Sequence, residues 1–190
     1  MMPGLRQLAE QAALSLVSAV LFVSFFEINN WLFASLEYTQ GISWVFLPAG
    51  FRVILVLAFG LPGALGLVMG SWFIDSETLL SSSWFFPFLN GVVSGLTPWL
   101  VMKYLGRLGL PGLQLQTMTA QGLLQLTLIF SAASAFGHQL VWWLLERPGA
   151  NIWVDVWPMF IGNVLGALLM LYGMKWVLNA WQLSRSTHSD

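Results

Sequence analysis

The chain has 190 residues, of which 57% are hydrophobic and only 8% charged, with seven Lys or Arg against eight Asp or Glu. Soluble domains carry about 25% charged residues, so a globule bathed in water on all sides is excluded, and the outer surface must meet lipid. A formal net charge of −1 leaves no electrostatic footprint for nucleic acid. The absence of cysteine rules out disulfides, thiolate metal sites and cysteine nucleophiles.

Six stretches are apolar enough to be considered as membrane helices, which need about 20 residues each. They cover 11–33, 43–60, 61–80, 84–105, 118–145 and 153–181. The expected fold is therefore all-α: one polytopic transmembrane bundle over 1–182, with 183–190 as a short polar tail. The first stretch follows Arg6 and Glu10 and lacks a clean cleavage site, so it reads as a retained membrane helix rather than a signal peptide. In the second, Pro48 and Gly50 predict a break or kink next to Arg52. The third has an apolar part of only 14 residues, Leu61 to Ile74, and Pro62 suits the first turn of a new helix. Its Gly63, Gly66 and Gly70 form a small-residue stripe that predicts a close helix contact. The longest connection runs from about 106 to 117 and is too short to fold alone.

Charge bias orients the bundle. Arg6, Lys103, Arg107, Lys175 and Arg185 fall on one side if there are six spans, and Glu37, Asp75, Glu77, Glu146, Arg147 and Asp155 fall on the other. By the positive-inside rule both termini are cytoplasmic. Trp31, Trp44, Trp72, Trp84, Trp142, Trp143, Trp153 and Trp157 lie near the outer boundary, and Trp176 and Trp181 near the inner one, as interfacial rings would.

Ionisable side chains in hydrocarbon cost about 2.5–3.5 kcal/mol each on insertion scales, so each one calls for a reason. Glu27, Arg52, Asn90, His138 and Asn163 come from five different helices. Each lies about 9–15 Å inside the outer boundary at 1.5 Å per residue. They predict one polar layer facing the bundle interior. Within it, Glu27 and Arg52 could pair structurally, or Arg52 could bind an anion in an outward-facing pocket. Nothing suggests a metal or cofactor. No HExxH, nucleophile elbow or phosphate loop is present, and no enzymatic activity is expected.

The run Trp44-Val45-Phe46-Leu47-Pro48-Ala49-Gly50 is followed by an apolar helix and then by Pro62-Gly63 with Gly66 and Gly70. This pattern, with Asn90-Gly91 further on, resembles the membrane-associated sensor (MASE-type) domains of bacterial signalling proteins over about residues 42–105. The resemblance implies a Pro-Ala-Gly segment that opens a helix, and a sensory input module that passes its signal to a histidine kinase or cyclic-dinucleotide output domain. No such output domain is recognisable here, six spans are fewer than is usual in that family, and Arg52 directly follows the Pro-Ala-Gly segment. The expected function is a stand-alone sensory or regulatory module of a bacterial inner membrane. It would sit in the lipid bilayer and act through a membrane or signalling partner. A substrate-binding subunit of a small-solute transporter and a membrane-complex assembly factor are the alternatives.

Overall fold

A computed structural model describes residues 3–80, 84–108 and 119–186, with backbone alone at 3, 178–180 and 182–186. Among them seven helices appear: α1 (Pro3–Phe33), α2 (Pro48–Phe59), α3 (Leu61–Ile74), α4 (Ser76–Leu79), α5 (Phe85–Arg107), α6 (Ala120–Leu144) and α7 (Ile152–Ser186). Two short strands, β1 (Glu37–Thr39) and β2 (Ile42–Ser43), pair antiparallel between α1 and α2. The all-α expectation thus misses one small hairpin. Its turn is permitted by Gly41, whose φ of +85° suits a residue without a Cβ.

Four helical stretches are long and apolar enough to cross a membrane: Gly4–Leu36, Phe85–Arg107, Ala120–Leu144 and Ile152–Val177. The other two apolar helices, α2 with 12 residues and α3 with 14, are shorter. At 1.5 Å per residue they measure about 18 and 21 Å, against a hydrocarbon thickness of about 30 Å.

The expected second span, 43–60, is helical only from Pro48 onward. Proline has no N–H to donate back into a preceding turn, and here it sits at the start of a helix, where none is needed. Pro48 and Gly50 therefore open α2; they do not kink a longer helix. The residues between β2 and α2 are irregular, with Leu47 already in the helical region of backbone space, and their N–H groups find partners elsewhere in the chain. The Trp44 N–H donates to Leu36 O at 2.9 Å, Phe46 N–H to Gly162 O of α7 at 3.1 Å, and Leu47 N–H to Asn29 Oδ1 of α1 at 3.0 Å. Two glycines of α7 make room for this irregular segment. A Cβ on Gly162 would overlap the Ser43 carbonyl, and one on Gly166 the Phe46 carbonyl.

The third stretch also ends early. α3 stops at Ile74, and Asp75 leads into the short α4 outside it. Its glycine stripe makes the close contacts its spacing predicts: Gly63 lies against the Leu55 carbonyl of α2, Gly66 against Ser15 and Ser18, and Gly70 against Phe22 and Ala19 of α1. The Ser18 hydroxyl of α1 adds a polar tie to α3 by donating to Gly63 O at 3.0 Å. At the other end, α7 continues to Ser186, into the stretch expected to be a polar tail; the remainder, 187–190, and most of the 106–117 connection lie outside the described residues.

The helices pack as a bundle in which α3 lies between α1 and α5, α6 between α5 and α7, and α2 against α7, α3 and α1. One apolar core joins Val53, Val56, Ala64, Leu67, Leu123, Phe130, Ala167 and Leu171, with Phe22 at its edge. A second, smaller cluster around Ile42, Val141, Trp142, Val156 and Met159 lies beneath the hairpin. The polar cavity described next includes residues of both clusters in its walls.

Candidate functional site

A cavity of about 790 Å³ opens at the hairpin end of the bundle. Of the five residues of the expected polar layer, Arg52, Asn90, His138 and Asn163 line it, brought from α2, α5, α6 and α7. Glu27 does not. It sits on the exposed face of α1, away from the cavity, while Asn29, two residues on and therefore on the opposite side of the helix, is buried and lines the site. The expected Glu27–Arg52 pair is absent, and Arg6–Glu10 is the one ion pair among the described residues.

Arg52 is the central feature. It is 3% exposed and has no carboxylate partner. Its Nε donates to Pro48 O at 3.4 Å, its Nη1 donates to Ser94 Oγ of α5 at 3.1 Å, and its Cζ lies 5.2 Å from the Phe46 ring centre. A guanidinium has five N–H donors, so three remain unused. Leaving a buried charge unneutralised is costly, and the cavity beside it is where compensation can arrive.

His138 is also buried, and its Nδ1 lies 2.8 Å from Ser134 O. A carbonyl only accepts, so Nδ1 carries the proton and, in the neutral ring, Nε2 presents a lone pair. Ser134 also lines the cavity, and its buried hydroxyl has no hydrogen-bond partner among the described residues. Asn163, 3% exposed on α7, completes the inner wall.

A second network surrounds the mouth. Asn90 Oδ1 accepts from Trp142 Nε1 at 3.1 Å, and Asn90 also hydrogen-bonds Asp75. Arg147 stacks on Trp142 with its Cζ 3.7 Å from the ring centre, lies 5.4 Å from the Phe86 ring centre, and donates from Nη2 to Gln40 O at 2.9 Å. It thereby ties the hairpin turn across the opening. Burial raises the Asp75 carboxyl above its ordinary 3.8, outweighing the opposing pull of Asn90 and Arg147. Burial likewise lowers Arg147, against the attraction of Asp75 and Asp155.

The interfacial reading of tryptophan needs one correction here. Trp31, Trp84, Trp143, Trp153, Trp157, Trp176 and Trp181 are exposed on the bundle surface. Trp142 is 4% exposed and belongs to the site, and Trp72 turns inward to donate to Phe88 O at 3.1 Å. Residue-by-residue reasoning also passed over Ser94 and Ser134. Their signal was spacing: Ser94 follows Asn90 by four, while Ser134 precedes His138 by four and Trp142 follows it by four, placing each set on one helix face.

No protein-family model, curated protein or solved structure matches the chain. The chemistry of the cavity is thus the main guide to function. It combines one uncompensated cation, unused hydroxyl and amide groups, and aromatic walls from Phe22, Phe26, Phe46 and Phe86. Among the described residues no group of three His, Cys, Asp or Glu side chains could hold a metal.

Proposed function

We propose that this chain is a multi-pass receptor of a bacterial inner membrane that captures a small solute from the outer side and passes the event to a membrane or signalling partner. The observation that carries the reading is Arg52, a buried cation without a counter-charge beside a cavity of about 790 Å³. Ligand pockets of about 300–1,000 Å³ with apolar walls and a few convergent polar groups are the common form of a binding site.

Six crossings with both termini inside fit this reading. The irregular approach through residues 44–47 lengthens the roughly 18 Å of α2 toward what one crossing needs. The five basic residues on the cytoplasmic side set the orientation. Kinship with MASE-type sensors is part of the proposal, supported by Pro48 opening α2 and Pro62 lying at the start of α3.

The test is a thermal-stability screen of the purified protein against anionic, neutral and cationic solutes, repeated on Ser134→Trp, which fills the cavity. Stabilisation by at least one solute, lost in the filled variant, is expected. A protein that no solute stabilises, and that always brings down one larger membrane complex, would instead be an assembly factor. An energising ATPase as the ligand-dependent partner would favour the transporter-subunit alternative.

A further inference from the structure

Resting on the reading of the cavity as a solute site, we infer that its ligand is a monocarboxylate carried on an apolar body. Arg52 fixes the charge. Its Nε and one Nη1 hydrogen are committed to Pro48 O and Ser94 Oγ, and the remaining hydrogens on Nη1 and Nη2 form an edge suited to the two oxygens of a carboxylate. Ser94 accepts from Arg52, so its own hydrogen is free to donate to the same group, and Ser134 offers a second hydroxyl without a partner.

Three features argue against a more highly charged anion. Arg52 is the one cation lining the inner part of the cavity, since Arg147 is stacked at the mouth and bonded to Gln40. With its Nδ1 proton given to Ser134 O, the neutral His138 ring offers a lone pair at Nε2 and not a second donor. The mouth carries Asp75 and Glu37 against Arg147, a rim with more acidic than basic groups that disfavours a dianion more than a monoanion. The rest of the ligand meets Phe22, Phe26, Phe46 and Met159, whose surfaces suit a ring or short chain, with Asn163 and His138 leaving room for a further neutral polar contact. Two sources share this chemistry, a water-borne aromatic acid and a fatty acid from the membrane.

The experiment uses the full chain in nanodiscs of zwitterionic lipid, titrated calorimetrically with sodium benzoate, its neutral isostere benzamide, and laurate. Benzoate or laurate is expected to bind at least tenfold more tightly than the amide, and Arg52→Met to erase that preference. Whichever acid binds more tightly identifies the source. If Arg52→Met fails to fold, Ser94→Ala and Ser134→Ala each serve instead, with a severalfold loss of the acid alone. Equal binding of benzoate and benzamide, or acid binding indifferent to all three substitutions, overturns the carboxylate assignment. So does failure of both acids to bind. In these cases the receptor reading survives if the broader solute screen yields a neutral or cationic binder, and falls with the carboxylate if the cavity takes up water only.

Discussion

Gly166 tests whether the non-helical approach to α2 is a built part of the bundle. An alanine Cβ there would overlap the Phe46 carbonyl and come within 2.7 Å of Leu47 N, and neither atom can rotate away. Overpacking of this kind costs about 1–3 kcal/mol. Displacing Phe46 would also weaken its 3.1 Å bond to Gly162 O, worth about 1 kcal/mol. Against this, alanine gains about 1 kcal/mol over glycine in a helix interior, leaving Gly166→Ala destabilised by about 1–3 kcal/mol. Gly173 supplies the control within the same helix. A Cβ there meets nothing within 4 Å, so Gly173→Ala keeps the helix gain and should stabilise by up to about 1 kcal/mol. Equilibrium unfolding of both variants in mixed micelles, followed by circular dichroism, measures the difference. Equal effects, or the opposite order, would refute the packing of residues 43–47 onto α7.

Four further outcomes follow from the site. Arg147→Met should release the hairpin, seen as faster amide exchange over 37–43 with little change in α6; unchanged protection there would detach Arg147 from any strap role. Trp142→Phe removes the donor to Asn90 Oδ1 and should cost about 1–2 kcal/mol, read from the unfolding midpoint. Asp75 has a folded-state pKa above its ordinary 3.8, so the folded state binds the proton more tightly than the unfolded state does. Its contribution to stability is therefore fully present below 3.8 and is lost as pH rises through the folded value. Asp75→Asn should flatten that part of the stability-versus-pH curve, and an unchanged slope would assign the titration elsewhere. Finally, Glu27→Gln and Arg52→Met should be additive within about 0.5 kcal/mol in a double-mutant cycle, because the two side chains do not meet; a larger coupling would restore the ion pair.

Much of the bundle was legible because hydrophobic runs and rare polar residues are strong signals in a membrane chain. Arg52, Asn90, His138 and Asn163 were found from depth alone, since residues equally far from a boundary on packed helices share a layer. Glu27 was misplaced because depth says nothing of rotation. Asn29 lies on the buried side of α1 and Glu27 does not, and no apolar periodicity separates the faces of a helix that is apolar all round. The irregular stretch before α2 was hidden for a related reason. Val45, Phe46 and Leu47 are apolar enough for a membrane helix, and what keeps them out of one is long-range: Asn29 on α1 and two glycines on α7. Trp142 was assigned to the interface by its position near a helix end, whereas its hydrogen-bond partner Asn90 lies 52 residues away in sequence.

The irregular approach to α2 and the placement of Arg52 are linked. Non-helical backbone is tolerated at membrane depth only where protein or a wet cavity surrounds it, and here the hairpin, α1 and α7 supply that surround. Starting α2 at Pro48 rather than at the membrane boundary puts its first turn beside the cavity. Arg52 then lies only four residues along, with its Nε returning to Pro48 O. Closing the gap into a continuous helix, for example by replacing Pro48 with alanine and filling Gly162 and Gly166, would remove the irregular segment that sets Phe46 against Arg52. In this fold the irregular segment is what makes the site.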